Sequence, residues 1–438
     1  MDHFGTDGIR GKADQFDLTF IVSIIEGLVD YAGDNIKVLI GGDTRESSEW
    51  ILRDLEIALE TFGIEYSSVN VLSTPAINYC FYEMGYDFAI DVTASHNPYT
   101  DNGIKVFERG DGQGIKLCEK GRKAIEKSLK EPKEYNIISP SPREDLQTEA
   151  IDIYKEHLLN YVQPADFTGL HLGLDCANGA TSVISSSLFE QLGAKVKRIH
   201  ADPHYGTKIN KNCGSTHLES LRKTVLDNHL DFGIAFDGDG DRCMFIDEKG
   251  GVVDGDQVIA ILAEYLKLDT VATTVMVNQG FISWAKKNGI NIEITAVGDT
   301  NVKIAMDEKH IKLGGEQSGH IILPGEATGD GMLTALVITK IISETKKTLS
   351  ELASSFVKFP QIVINMPATP DQKANLKEKE PAKKLLLEYS EKLKPIDGRL
   401  LVRPSGTESL IRITLWGDDE SAITTMANEL KDKLTEIL

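Results

Sequence analysis

Short apolar runs that stop at glycine or aspartate alternate along this chain with stretches whose apolar positions recur at helical spacing. The run Lys37–Ile40 predicts a strand ending at Gly41-Gly42, and the pattern from about Ser47 to Phe62 predicts a helix stopped by Gly63. Strands are expected at Val69–Leu72, Phe88–Val92 and Ile104–Phe107, the last running into a turn cluster of Gly110, Gly112 and Gly114. Strands alternating with helices imply crossover units and a mixed or parallel sheet. The charged segment Lys127–Gln147, with Pro132, Pro140 and Pro142, reads as a linker. A second unit repeats the scheme through the strand Leu170–Leu174, the helix Ser182–Gly193, the strand Val196–Ile199 and the strand Phe232–Phe236. Met244–Asp247 and the turn Glu248–Gly251 lead into a third unit. It holds helices at Gln257–Leu266 and Gly331–Ser343 and strands at Thr274–Val277 and Ile292–Val297. Lys358–Asp371 reads as the next boundary. A smaller α+β unit follows, with a helical stretch Lys373–Lys392, a strand before Pro404, the strand Leu410–Trp416 and a helix Glu420–Leu438. The expected domains are 1–150, 151–250, 251–365 and 366–438.

Composition narrows the function classes. A chain of 438 residues is too long for one core, and 41% hydrophobic residues are enough for several. The net charge of −20 repels nucleic acid and anionic membranes, so an anionic substrate would need locally gathered positive charge. The five cysteines (Cys80, Cys118, Cys176, Cys213, Cys243) contain no C-x-x-C, which argues against zinc and against a disulfide framework. Met1-Asp2-His3-Phe4 shows neither a basic nor an apolar leader, and no run of about 18 apolar residues occurs. A cytoplasmic protein, monomer or homodimer, acting on a small molecule is expected.

Four loops carry the chemistry. Thr93-Ala94-Ser95-His96-Asn97-Pro98 places a hydroxyl in a tight loop after an apolar run. On an extended segment His96 would face away from Ser95, so it is not expected to be its base. The alternative is that the hydroxyl carries a phosphoryl group, which brings roughly −1.5 to −2 charges and needs cations nearby; Lys105 lies ten residues on. Alone, the loop also fits a cap or an Asn-Pro turn. Asp237-Gly238-Asp239-Gly240-Asp241-Arg242 places three carboxylates within five residues, a donor set for Mg²⁺. Glu248 completes an EF-hand spacing, but Arg242 stands where that loop requires glycine and the flanks read as strands. A solvated acidic turn is the other alternative. Gly314-Gly315-Glu316-Gln317-Ser318-Gly319-His320 offers acceptors and an imidazole to a polyol. Arg403-Pro404-Ser405-Gly406-Thr407-Glu408 combines a guanidinium, hydroxyls and glycine in a phosphate-binding composition that an ordinary turn shares. One such loop in each expected unit makes four coincidental turns improbable.

With Phe4-Gly5-Thr6-Asp7-Gly8-Ile9-Arg10-Gly11 at the N-terminus, these segments resemble the α-D-phosphohexomutase superfamily from residue 4 to residue 408. The N-terminal segment, the Glu316 loop and Asn210-Lys211-Asn212-Cys213-Gly214-Ser215-Thr216-His217 lean towards its glucosamine branch. The resemblance implies three α/β domains of related topology with mixed sheets and a smaller C-terminal α+β domain around a central cleft. It implies an isomerase that moves a phosphoryl group between the 6- and 1-positions of a sugar phosphate through a phosphoserine and a 1,6-bisphosphate, with the bisphosphate as activator. Ser95 would be the phosphoserine, and Asp237, Asp239 and Asp241 would bind Mg²⁺ with a phosphoserine oxygen. Glu316 and Ser318 would contact the sugar, with Arg242 also on the substrate side. Arg403, Ser405, Gly406 and Thr407 would hold the non-reacting phosphate, and Arg10, Lys105 and His320 would line the reaction centre. Lys105 is the first candidate for the base, provided that Arg10 lowers its pKa from about 10.4. Two departures, Gly42 in Gly41-Gly42-Asp43-Thr44-Arg45 and Thr300 in Val297-Gly298-Asp299-Thr300, stand where the family commonly has arginine. They bear on sugar choice more than on reaction type. Mannose and glucose phosphates are the rival substrates, and a non-catalytic sugar-phosphate or metal-binding protein is the rival class.

Overall fold

The run opening at Lys37 is a strand, Lys37–Gly42, buried from Val38 onward, in a computed structural model that describes residues 3–5, 7–140, 144–405 and 409–438. Glu65–Val71 and Phe88–Val92 flank it in parallel; Phe88–Val92 then pairs antiparallel with Asp101–Arg109, which pairs antiparallel with Gly8–Lys12. All five residues of Phe88–Val92 are buried, as expected of a strand covered on both faces. The helix Leu18–Ala32 contributes Ile21, Ile25 and Leu28, and Glu46–Thr61 contributes Leu55 and Leu59, to one core with Ile90 and Ile104.

A second mixed sheet is ordered Val252–Val253, Cys243–Asp247, Phe232–Phe236, His171–Asp175, Lys195–Ile199, with its parallel pairs around His171–Asp175 and antiparallel pairs beyond Phe232–Phe236. In a third, Thr270–Thr274 runs parallel to Gly314–Gly315, which pairs antiparallel with Ile321–Ile322. The helices Gly255–Tyr265 and Gly331–Thr345 are largely buried, and each starts at an aspartate, Asp254 or Asp330, that accepts a backbone N–H of its first turn. The strands named so far lie in one compact unit, 1–274 with 295–353. The loops carrying Ser95, the aspartates and Glu316 all follow the carboxyl ends of strands, where open α/β sheets place ligands.

The smaller unit comprises 275–294 and 354–438. Its antiparallel sheet puts Leu410–Trp416 between Gln361–Pro367 and Arg399–Pro404. Leu415 and Ile413 pack with Leu385 and Tyr389 of the helix Glu380–Leu393 and Leu430 of the helix Glu420–Ile437. The helix Gln279–Asn288 belongs to this unit as well, with Phe281 and Trp284 against Phe356.

Several expected elements differ. The strand placed at Thr274–Val277 is Thr270–Thr274: the buried Thr273 and Thr274 belong to it, and the more hydrophobic Val275-Met276-Val277 lies beyond its end. Lys358–Asp371 is not merely a boundary but holds the edge strand Gln361–Pro367; Val363 is half exposed while Met366 is buried, an alternation that a charged and proline-containing window conceals. The helical stretch Lys373–Lys392 is two helices, Pro370–Glu378 and Glu380–Leu393, divided at Lys379 before Pro381. The helix Glu119–Lys130 runs into the expected linker.

Candidate active site

Ser95 has a left-handed backbone, φ 51°, in the loop after Phe88–Val92. That conformation is uncommon for a residue with a Cβ and persists where its surroundings impose it. The serine is buried, and its Oγ donates to Asp237 Oδ2 at 2.7 Å. The extended geometry expected here is therefore absent, and with it the argument against His96. His96 Nδ1 lies 3.2 Å from Ser95 Oγ. Burial, and then Arg242 and Arg10, push the His96 imidazole down to about 3, so it is neutral.

The aspartates occupy the turn of an antiparallel hairpin, Phe232–Phe236 with Cys243–Asp247. Strands rather than helices flank it, which removes the EF-hand reading. Gly238 is required by closeness, because a Cβ there would lie 2.7 Å from the carbonyl oxygen of Ser95. Asp237, Asp239 and Asp241 are all buried and bring carboxylate oxygens within 4.8 Å of one another. Asp239 Oδ1 and Asp241 Oδ1 have no hydrogen-bond partner among the described residues. Burial and the charges of Asp241 and Asp239 raise the Asp237 carboxyl well above the usual range. Orphaned buried oxygens and mutually repelling carboxylates fit a hard divalent cation, whose ligands are oxygens.

Lys105 faces the same cluster from the strand Asp101–Arg109. Its Nζ lies 2.8 Å from Asp239, 3.2 Å from Asp241 and 3.2 Å from Asp7. Burial works against the ammonium, but Asp239, Asp7 and Asp241 hold it well above the ordinary lysine range. Arg10 does act to lower it, as expected, but three carboxylates outweigh one guanidinium. Arg10 donates to Asp7 at 2.6 Å. Asp7 also pairs with Lys116, which pairs with Asp299, whose Oδ2 is 3.6 Å from His320 Nε2. A cavity of about 320 Å³ borders Asp7, Lys105, Lys116, Asp299 and Thr300.

The Glu316 loop docks on the aspartate hairpin. Arg242 and His320 form a β-bridge, and Cys243 N donates to Gly319 O at 3.1 Å. Gly319 has φ 91°, and a Cβ there would meet Cys243 O at 2.2 Å, so only glycine fits. Glu316 Oε1 accepts from Gly298 N at 3.2 Å. Ser318 Oγ and both His320 ring nitrogens are buried without hydrogen-bond partners among the described residues. Arg242 Nε lies 4.0 Å from Asp237 and 3.8 Å from Asp241.

The larger unit thus brings together Ser95, Arg10, Lys105, the three aspartates, Arg242, Glu316, Ser318 and His320. Arg403 and Ser405 belong to the smaller unit, and Gly406 and Thr407 lie outside the described residues. Arg403 sits opposite Arg412 in the sheet, and burial and that second guanidinium lower its pKa. Lys373 Nζ donates to Ser405 O at 2.9 Å, adding a third cation. Sequence reading quoted Asp7 and Asp299 within motifs but gave them no role, and it missed Lys116, Arg412 and Lys373, because charges spread over distant segments leave no local signal. It also missed a second group of metal-type donors, Asp175, His200 and Cys213, beside the second sheet, where His200 Nδ1 is 3.0 Å from Asp175 Oδ2.

Known proteins match along the whole length. The phosphoglucomutase/phosphomannomutase α/β/α domains I, II and III match residues 1–136, 152–251 and 254–359, and the C-terminal domain of the same family matches 364–433. The phosphoglucosamine mutase of Caldicellulosiruptor saccharolyticus is 41% identical over 98% of this chain and 97% of its own, and that of Bacillus subtilis is 39% identical over 100% and 98%. A phosphoglucomutase/phosphomannomutase family protein of Burkholderia thailandensis shares the fold at a TM-score of 0.76 and 20% identity, covering 99% of this chain and 97% of that one. Aspergillus fumigatus N-acetylphosphoglucosamine mutase, solved with GlcNAc-6P and magnesium, shares it at 0.66 and 16%, covering 98% and 95%. Fold, loop order and full-length identity agree, and the chain belongs to the phosphoglucomutase/phosphomannomutase family of sugar-phosphate mutases.

Proposed function

We propose that this enzyme interconverts glucosamine 6-phosphate and glucosamine 1-phosphate through a phosphoserine at Ser95 and a glucosamine 1,6-bisphosphate. The observation that carries the reading is Ser95 Oγ held 2.7 Å from Asp237 inside a buried carboxylate trio. The substrate follows the phosphoglucosamine mutase relatives that span nearly the whole chain. Ser95 donates its phosphoryl group to the free sugar hydroxyl; the Oγ–P bond breaks, a sugar O–P bond forms, and the hydroxyl loses its proton. The bisphosphate turns, and its other phosphoryl group returns to Ser95.

Asp237, Asp239 and Asp241 would hold the Mg²⁺ ion. When bound, it neutralises charge on the transferring group. Lys105 and Arg10, kept cationic by the surrounding carboxylates, add positive charge beside it. Its ion pairs with Asp239, Asp241 and Asp7 suit Lys105 to supplying positive charge rather than to acting as base. His320, whose ring nitrogens have no hydrogen-bond partner among the described residues, is placed to take the sugar hydroxyl proton. Glu316 and Ser318 would orient the sugar, with Arg242 beside them. Arg403 and Ser405, with Gly406 and Thr407, would hold the non-reacting phosphate, which relieves the apposition of Arg403 and Arg412.

The test is turnover of glucosamine, mannose and glucose 6-phosphates, each with glucose 1,6-bisphosphate as activator. Mass spectrometry of the Ser95 peptide accompanies it. Highest kcat/KM on the glucosamine substrate, phosphate on Ser95, and loss of turnover in a folded Ser95→Ala variant are expected. Preference for mannose or glucose would replace the substrate, and full activity of Ser95→Ala would end the phosphoserine mechanism.

A further inference from the structure

One buried guanidinium spends all five of its N–H donors on the loop that carries Ser95 and on its support. The Arg45 side chain is 0% exposed. Its Nε donates to Asp43 Oδ2 at 2.9 Å. Nη1 donates to the carbonyl oxygens of Pro98 at 2.5 Å and Asp101 at 3.1 Å, and Nη2 to those of Ser95 and Asn97, each at 2.9 Å. Asn210, from the segment singled out in the sequence but given no role, adds Nδ2 bonds to Ser95 O at 2.8 Å and Asn97 O at 3.2 Å. On the other side, Thr93 Oγ1 donates to Asp43 Oδ2 at 2.7 Å and accepts the Ser95 N–H at 2.9 Å.

Both backbone groups of Ser95 are therefore saturated: its N–H has one acceptor and its carbonyl two donors, one per lone pair. This is the surrounding structure that holds the φ of 51°. A released, extended Ser95 would turn its side chain to another face and lose the 2.7 Å approach to Asp237. Resting on the phosphoserine reading, we propose that Arg45 and Asn210 are positioning residues for phosphoryl transfer at Ser95. They fix the serine backbone so that Oγ faces the carboxylate trio in every half-reaction. A lysine at 45 cannot substitute, because an ammonium has three donors on a flexible stem and not a planar fork of five.

The experiment uses the full chain, dephosphorylated at Ser95 and given glucose 1,6-bisphosphate. In that step the bond from phosphorus to the sugar oxygen breaks, a bond to Ser95 Oγ forms, and the serine proton passes to the released sugar oxygen. The rate is read by mass spectrometry, beside kcat and KM for the mutase reaction. Arg45→Lys is expected to slow phosphorylation and lower kcat by about 100-fold, the scale of an ångström-level misplacement, with KM changed less than about twofold. Free guanidinium at millimolar levels should partly restore Arg45→Ala but not Arg45→Lys, whose side chain occupies the space. Asn210→Gly removes only the side chain, because glycine accepts the φ of 56° found there, and it should slow phosphorylation by about tenfold. Wild-type phosphorylation rates in folded Arg45→Lys, or an effect confined to KM, would overturn the proposal. Should the Arg45 variants not fold, Asn210→Gly decides, a wild-type rate overturning it and a slowed rate supporting it. A wild-type enzyme that takes up no phosphate at Ser95 would overturn the phosphoserine reading itself, and this inference with it.

Discussion

Replacing Gly329 with alanine tests whether the position of His320 matters to catalysis without touching any ionisable group. The His320 ring is 2% exposed and lies over Gly329 so closely that an added Cβ would sit 2.5 Å from Cε1 and Nε2 and 2.6 Å from Nδ1. Ordinary contact begins near 3.4 Å, so the ring must retreat by about 1 Å. The backbone at 329 is outside the left-handed region, which leaves the ring contact as the source of strain. Overpacking of this kind costs about 1–3 kcal/mol. A catalytic group moved by about 1 Å can cost about 100-fold in rate. The assay is a double-mutant cycle of Gly329→Ala, His320→Ala and both together, reading the unfolding of the larger unit and mutase kcat. In the wild-type background Gly329→Ala should cost about 2 kcal/mol of stability and about 100-fold in kcat. In the His320→Ala background, where the methyl group has room, it should cost less than about 0.5 kcal/mol and little further activity. Equal stability costs in both backgrounds would refute the steric argument. A destabilised Gly329→Ala enzyme with normal kcat would refute the role of His320.

The other expectations follow from the same geometry. Removing divalent cations with EDTA should abolish turnover and Mg²⁺ should restore it, and full activity in EDTA would refute the role given to the carboxylate trio. Arg403→Ala and Arg412→Ala should each raise KM about tenfold with less effect on kcat, since they remove a contact made in ground and transition states alike; release of bisphosphate into solution should rise with it, and unchanged KM and release would move the phosphate site elsewhere. Burial raises Asp330 from 3.8 to about 6, so the fold prefers the protonated carboxyl. Its contribution to stability is full below its ordinary value and is lost as pH rises through about 6; Asp330→Asn, which keeps an acceptor for Leu333 N, should flatten the stability profile between pH 4 and 7 by at most about 3 kcal/mol, and parallel profiles would refute this.

The chain by itself determined what is local. Phe88–Val92, apolar but for Asp91, and the apolar Phe232–Phe236 read as strands buried on both faces, and both occur at those residues. The Asp-Gly-Asp-Gly-Asp spacing fixed a carboxylate cluster, because alternating glycines let one turn gather three side chains. Helices such as Thr74–Glu83 and Gln147–Val162 escaped the sequence reading because their apolar stripe is broken by polar residues; Tyr154 is buried there with its hydroxyl 2.7 Å from Asp330, a partner 176 positions away. Tertiary structure alone decided the electrostatics of the site. Asp7, Asp239 and Asp241 converge on Lys105 from two distant segments and favour its charged form, and a charge balance of that kind depends on distance in space. The reach of His96 to Ser95 was likewise undecidable from adjacency, because it depends on a left-handed φ. Arg45, Thr93 and Asn210 impose that φ with hydrogen bonds from three parts of the chain.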